Sequence, residues 1–274
     1  MKRKLMICFL IIATIVCILL GIQSRYNYRI KVTQLSGEGN GYIIETKENN
    51  LIIIDGGTKN DASNIEKIVK DKGNPTIVGW YLTSILPENS GALCEVINSN
   101  IDLKISNIFV SFVLDEEWYE NSDITEEEKK VFKDTINTII YGEQKQKVTD
   151  LARRGLYQMD NLYVMPLEVK EETTYQKIKD QNIALKVTNG FENIIFLGDI
   201  TENRAKNFLT SNVDQYKNVK ALQLTGNTFS NEINEIIRKI NPEQVLVSNK
   251  EKPDYIKQET VFLKDGKEHL IEIW

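Results

Sequence analysis

The chain has 274 residues, with 34 Lys and Arg, 39 Asp and Glu, a single His and a formal net charge of −5. That balance argues against a polyanionic partner such as DNA. One histidine cannot furnish a histidine-rich metal centre, and three cysteines cannot furnish a disulfide framework.

Lys2, Arg3 and Lys4 precede an apolar run from Leu5 to Ile22, 18 residues without a charge. As a helix this run is about 27 Å long, close to the ~30 Å hydrocarbon core of a bilayer. The basic residues before it favour an N-terminus left in the cytoplasm, although Arg25, Arg29 and Lys31 on the far side weaken the bias. The expectation is a single-pass cell-membrane protein: residues 1–24 form the anchor, and residues 25–274 form a domain outside the cytoplasm. A cleavable signal peptide is the competing reading. Cutting after Ser24 puts Ile22 at −3, where a small residue belongs, and Ile15 and Val16 spoil Cys17 as a lipoprotein site. Setting the three leading basic residues aside leaves 31 basic against 39 acidic, a net of −8. Cys8 and Cys17 fall in the anchor run. Cys94 lies in the apolar series Ala92, Leu93, Val96, Ile97 and reads as an inert buried thiol.

Strands are expected at 28–35, 42–45 and 51–54, with Gly37, Gly39, Gly41 and Asn49-Asn50 as turns. Helices follow at 61–72, with Ile65, Ile68 and Val69 on one face, and at 88–98, around a strand at 77–83. Beyond a strand near 105–113, the acidic stretch 115–128 leads into a helix carrying Phe132, Ile136, Ile139 and Ile140, capped from Asp123 or Thr125. A short helix is expected at 146–155. Strands return at 161–167, 183–188, 193–198, 219–224 and 244–248, with helices at 202–210 and 231–240 and final strands at 259–263 and 268–273. Periodicity alone thus gives an α/β protein with mixed sheets, two of them packed face to face with helices outside. No internal repeat is visible.

Local motifs sharpen this. Gly37-Glu38-Gly39-Asn40-Gly41 leads through a strand to Asp55-Gly56-Gly57. A second strand ends in Thr83-Ser84-Ile85-Leu86-Pro87-Glu88-Asn89-Ser90-Gly91. Gln181-Asn182-Ile183 precedes a strand, Gly198-Asp199 ends one, and Gly226-Asn227 follows Leu222-Gln223-Leu224-Thr225. In this order and spacing the chain resembles the metallo-β-lactamase superfamily over about residues 30–250. It looks closest to the branch that includes the extracellular hydrolase-like domain of the late-competence DNA-channel protein. The resemblance implies a four-layer αββα sandwich.

The resemblance also implies a metal motif T-H-x-H-x-D-H. Laid on Thr83, its first two histidines fall at Ser84 and Leu86, its aspartate at Glu88 and its third histidine at Asn89; a later histidine pair falls at Gly226 and Asn227. Its bridging carboxylate matches Asp199. The scaffold positions Asp55, Gly56, Gly57, Thr83, Gly91, Gly198 and Asp199 remain, and the imidazoles do not. A hydrolytic zinc needs three or more protein ligands and an open position for water. What remains is an oxygen set, Glu88 and Asp199 with Asp55 in reach, suited to Mg²⁺, Ca²⁺ or Mn²⁺ rather than zinc. Two carboxylates without a cation repel, so one is expected to carry a raised pKa or to take a donor such as Asn89 or Asn227.

Each residue also has a structural reading. The Asp55 carboxylate can accept N–H groups of its own turn. Glu88 can stabilise the start of its helix. The glycine loop 37–41 runs into a strand rather than a helix, which disfavours a phosphate site. Arg153-Arg154 reads as a solvated helix end and His269 as an exposed strand residue. The expected function is a catalytically inactive, membrane-anchored module without cofactor, binding an unidentified protein or small molecule and no nucleic acid. The alternative is a metal-dependent hydrolase of phosphoester type with a divalent ion at Asp199 and Glu88. DNA processing would rest on fold analogy alone.

Overall fold

The structure is a computed structural model describing residues 9–18, 21, 30–111, 125–151, 155–168, 181–210, 216–225, 230–248, 252–254, 256–258, 260–263 and 266–273. Residues 9–18 are helical with every side chain exposed. No helix among the described residues is long and apolar enough to cross a membrane; residues 1–8, 19–20 and 22–29, which share the expected anchor and its junction, lie outside them.

From Ile30 the chain builds a sandwich. The first half contributes β1 (Ile30–Gln34), β2 (Gly41–Glu45), β3 (Leu51–Asp55), α1 (Ala62–Asp71), β4 (Ile77–Tyr81), α2 (Pro87–Asn98), β5 (Ile108–Val110), α3 (Glu126–Ile136) and β6 (Val148–Asp150). The second contributes β7 (Tyr157–Met159), β8 (Leu162–Glu168), β9 (Ala184–Thr188), β10 (Asn193–Phe196), α4 (Glu202–Thr210), β11 (Val219–Leu224), α5 (Asn231–Ile240), β12 (Gln244–Val247) and β13 (Thr260–Leu263). The last strand, β14 (His269–Ile273), returns to the first sheet and pairs with β1. The sheet orders are β14-β1-β2-β3-β4-β5-β6 and β13-β12-β11-β10-β9-β8-β7. Each sheet is antiparallel through one run of strands and parallel through the rest, with β3 and β10 at the changeover. The two sheets thus share one strand logic without a sequence repeat.

The apolar runs show why there are four layers. In β3 the side chains alternate: Ile52 and Ile54 face the other sheet, while Leu51 and Ile53 face the helices. A strand buried on both faces needs a continuous apolar run, which is what Leu51-Ile52-Ile53-Ile54 supplies. The inter-sheet layer joins Val32, Tyr42, Ile44, Ile52, Ile54 and Tyr81 to Val187, Ile194, Phe196, Ala221 and Leu246. Outside the first sheet, Ile53 and Trp80 pack with Ile65 of α1, Leu93 of α2 and Phe132 of α3. Outside the second, Leu222 and Val245 pack with Phe208 of α4 and Ile236 of α5. Helix α5 is capped by Ser230 Oγ, which accepts the Ile233 N–H at 3.2 Å, and ends at Asn241 in the left-handed region at φ 46°.

Three local expectations are corrected. Among the described residues of 146–155 there is no α-helix: a 3₁₀ turn at Lys145–Lys147 leads into β6, where β-branched Val148 and Thr149 pair with β5. Strand β7, which forms a hairpin with β8, had no counterpart in the sequence reading. His269 is half-buried on the inward face of β14, in register with Gln34, its ring 6.1 Å from that of Phe262. Asp123 and the Arg153-Arg154 pair lie outside the described residues.

The inter-sheet layer should dominate stability. Phe196 is fully buried with its ring 5.2 Å from Tyr42. Phe196→Ala is expected to cost about 3–5 kcal/mol, whereas Phe191→Ser, at a side chain 68% exposed, should change stability by less than about 0.5 kcal/mol. Urea midpoints at unchanged denaturant slope would check both.

Candidate functional site: a buried carboxylate cluster at the strand ends

The parallel strands β3, β4, β10, β11 and β12 all finish at one end of the sandwich, and the polar residues singled out by sequence gather there. Asp55 ends β3 with φ 61°, a left-handed conformation that Asp tolerates better than bulkier residues. This turn directs its carboxylate inward, where it is 2% exposed. Its partners are not the N–H groups of its own turn, as the sequence reading had it. Thr83, just past β4, donates its N–H to Asp55 Oδ1 at 2.7 Å, and the Thr83 hydroxyl lies 2.8 Å from Oδ2 and 3.0 Å from Oδ1. Asn89, fully buried in the first turn of α2, donates Nδ2–H to Thr83 Oγ1 at 3.3 Å and also favours the charged form of Asp55.

Thr83 also binds the second sheet. Its carbonyl accepts the Ile183 N–H at 2.8 Å, and Gly198 lies against its side chain. Gly198 has φ 60°, and a Cβ there would fall 2.7 Å from Thr83 Oγ1 and 2.3 Å from Asn182 Oδ1, so only glycine fits. Asn182 accepts the Asp199 N–H at 2.8 Å and donates to the Leu197 carbonyl at 2.7 Å. Gln223 of β11 accepts the Gly198 N–H at 2.9 Å. Asp199 itself is half-buried. One layer away, the Tyr42 hydroxyl lies 3.1 Å from Ser248 Oγ, and Gln34 donates to the Val247 carbonyl at 3.2 Å. Burial pushes the Tyr42 phenol well above its usual range.

Not every position matched to the metal motif joins this cluster. Ser84 is buried and uses its hydroxyl to accept the Leu86 N–H at 3.2 Å. Leu86 packs among the residues between the first sheet and its helices. Glu88 is half-buried, and its carbonyl accepts the Asn40 N–H at 2.7 Å, tying the glycine loop to α2. Gly226 and Asn227 lie outside the described residues. Cys94 is half-buried with its thiol pushed up to about 11 by burial, which keeps it protonated.

Sequence reasoning missed Asn182, Gln223, Tyr42, Ser248 and Asp61 as site-forming residues. Gln223 had a readable signal: it is the one uncharged polar residue between Leu222 and Leu224 in a strand buried on both sides. Asp61 answers the question of the glycine loop. Its carboxylate accepts the N–H groups of Glu38 (3.2 Å), Gly39 (3.2 Å) and Thr58 (2.8 Å) and the Thr58 hydroxyl (3.1 Å). A Cβ on Gly37 would lie 1.5 Å from Asp61 Oδ1. The loop does gather amides around an anion, but the anion is part of the chain. A separate groove of about 500 Å³ runs along α5, lined by Asn234, Ile237, Arg238 and Lys257, and includes no residue of the cluster.

Burial raises the Asp55 carboxyl from the ordinary 3.8 to about 7, against the opposing hydrogen bonds from Thr83 and Asn89 and with help from the nearby Asp199 charge. The folded value lies above the unfolded one. The protonated group therefore gives its full stabilisation below about pH 4 and loses it as pH rises through about 7. Asp55→Asn cannot ionise, so its stability relative to the native chain should rise between about pH 5 and about pH 8, by on the order of 2 kcal/mol. Denaturant titrations of both proteins at the two pH values measure this; a pH-independent difference would show that Asp55 does not titrate in that window.

No protein-family profile and no curated protein sequence matches the chain. Solved structures do. A metallo-β-lactamase fold protein, YhfI of Bacillus subtilis, superimposes with a TM-score of 0.54 at 12% identity, covering 88% of this chain and 99% of its own. A putative metallo-β-lactamase of Thermotoga maritima (TM-score 0.46, 14% identity, 71% of this chain and 95% of its own) is more distant. So is CmlA, a diiron β-hydroxylase of Streptomyces venezuelae (TM-score 0.46, 11% identity, 79% and 44%). With two mixed seven-stranded sheets face to face, helices on both outer faces and the polar cluster at the strand ends, this chain has the metallo-β-lactamase fold.

Proposed function

We propose that the chain is a membrane-anchored, extracytoplasmic protein of metallo-β-lactamase fold that binds a protein or small molecule rather than hydrolysing one. The observation that carries this reading is the occupation of Asp55. Both its oxygens already accept hydrogen bonds from Thr83. A metal ligand needs a free oxygen. Among the described residues, no group of three His, Cys, Asp or Glu side chains converges closely enough to hold a metal ion. The residues present therefore do not fit the metal centre that the fold implies.

The anchor is supported by chain chemistry. The basic triplet Lys2 to Lys4 precedes the apolar run. In the part described, Phe9, Leu10, Ile11, Ile12, Ile15, Val16 and Ile18 are all exposed, so the domain covers no face of that helix. An apolar helix exposed all round requires a lipid or protein environment. The resemblance to the late-competence branch would suggest DNA as a partner. The −8 balance of the chain beyond Lys4 opposes it.

Three experiments test the proposal. The purified full chain in detergent should contain sub-stoichiometric zinc by elemental analysis, and chelator should leave its thermal midpoint unchanged. Asp199→Asn should be neutral or mildly stabilising, within about 1 kcal/mol, because it removes a charge facing Asp55. Stoichiometric metal, with a phosphoesterase activity lost in Asp199→Asn, would establish the carboxylate-metal hydrolase instead. Protease added to intact wall-stripped cells should remove the domain; cleavage only after lysis would reverse the orientation.

A further inference from the structure

We propose that the end of the sandwich opposite the Asp55–Thr83–Asp199 cluster rests on the phospholipid surface, with Phe191 seated at the headgroup boundary and the cluster facing away from the membrane. This rests on the anchor reading above and adds to it an orientation and a contact surface.

Strand register defines the two ends. Ile30 begins β1 beyond the Lys31–Glu45 pair, beside the turn 46–50. That turn is fastened to the β7–β8 turn. Thr46 donates to Asp160 Oδ2 at 2.6 Å, Asn50 donates to the same oxygen at 3.0 Å, and the Lys47 N–H donates to Asn161 Oδ1 at 2.8 Å. Thr188 pairs with Tyr163, one residue past the start of β8, so the β9–β10 tip lies at this same end. Ile273 pairs with Ile30, so β14 also finishes there. Asp55, Thr83, Ile183, Gly198 and Ser248 are all at the other end.

The tether cannot undo this arrangement. Between Ile22 and Ile30 the sequence has 7 residues, so the Cα–Cα steps joining them reach at most about 29 Å at ~3.3–3.6 Å each. A domain of this size has a radius of gyration of about 18 Å and is roughly 45 Å across. A domain joined at one end by a tether shorter than its own width cannot seat its far end on the bilayer with its near end pointing away. The near end is thereby held within reach of the lipid.

The β9–β10 tip is built to present an apolar group there. Asn189 Oδ1 accepts the N–H groups of Phe191 and Glu192, both at 2.9 Å. Thr188 Oγ1 accepts the Gly190 N–H at 3.0 Å and donates to the Glu192 carbonyl at 2.9 Å. The turn is fixed by its own side chains, and Phe191 stands 68% exposed at its tip. At the same end, on the β2–β3 turn, Lys47 is exposed. An exposed aromatic ring suits the headgroup boundary, and a lysine at the same end can reach the headgroups with its ammonium.

The test uses the full chain in phosphatidylcholine–phosphatidylglycerol vesicles, with the photocrosslinker benzoylphenylalanine replacing either Phe191 or Glu38, an exposed residue of the loop at the opposite end. Flotation reports the anchor, and mass spectrometry reports lipid adducts. Flotation with on the order of ten-fold more adduct from position 191 supports the proposal, since boundary groups sit ~5–10 Å into the interface. Flotation with equal yields, or with more adduct from position 38, overturns the orientation and leaves the anchor standing. A chain that does not float removes the anchor, and the orientation with it.

Discussion

Thr83 joins the two sheets at the cluster end, beside the Gln34–Val247 and Tyr42–Ser248 links. Its N–H and hydroxyl engage Asp55 of the first sheet, its carbonyl engages Ile183, and its side chain abuts Gly198 of the second. A buried carboxylate is costly unless hydrogen bonds replace its hydration. Thr83 and Asn89 replace part of it, and the residual cost appears as the raised Asp55 pKa. Asp55, Thr83 and Gly198 therefore have a structural role of their own. They close hydrogen bonds between strand ends that apolar packing cannot close, because the chain must turn there and expose amides and carbonyls.

Asp55, Thr83, Asn182 and Gly198 form this frame, and two neighbours bond within it: Ser84 accepts the Leu86 N–H and Asn89 donates to Thr83. By sequence, two carboxylates left without a cation repel, and one takes a raised pKa or a hydrogen-bond donor. The set there was Glu88 and Asp199 with Asp55 in reach. In the structure the charge facing Asp199 is Asp55, because the φ of 61° at the end of β3 turns that carboxylate inward, while Glu88 engages the glycine loop through its backbone.

The legible parts of the fold were those where a local period coincides with burial. The run Leu51 to Ile54, the face Ile65–Ile68–Val69 and the face Ile233–Ile236–Ile237–Ile240 announce a doubly buried strand and two amphipathic helices. Strands β6 and β7 have three residues each and depend on neighbours distant in sequence, so a local window holds too little pattern to define them. The sheet to which β14 belongs was likewise invisible, since only its register with β1 decides which way His269 faces. The site was legible as a set of positions but not as a set of bonds. Asp61 and Asn182 act through backbone groups brought close by glycines, and such approach leaves no trace in residue spacing.

The two ends of the sandwich are built on different principles. At the cluster end, parallel strands stop without hairpins, leaving amides that are satisfied by side chains reaching across the sheets, as Gln223 and Asn182 do. This is where α/β sheets ordinarily place ligands. At the other end, antiparallel strands turn tightly and satisfy their amides within a turn or from the neighbouring turn, through Thr46, Asn161, Asn189 and Thr188. Locally satisfied turns are self-contained, so their outer side chains can be chosen for what they meet. An end closed by its own hydrogen bonds can lie against a surface without losing any of them. The cluster end has no such independence: its buried Asn89 Oδ1 accepts no hydrogen bond from the described residues, and an ordered water or ligand there would have a ready contact.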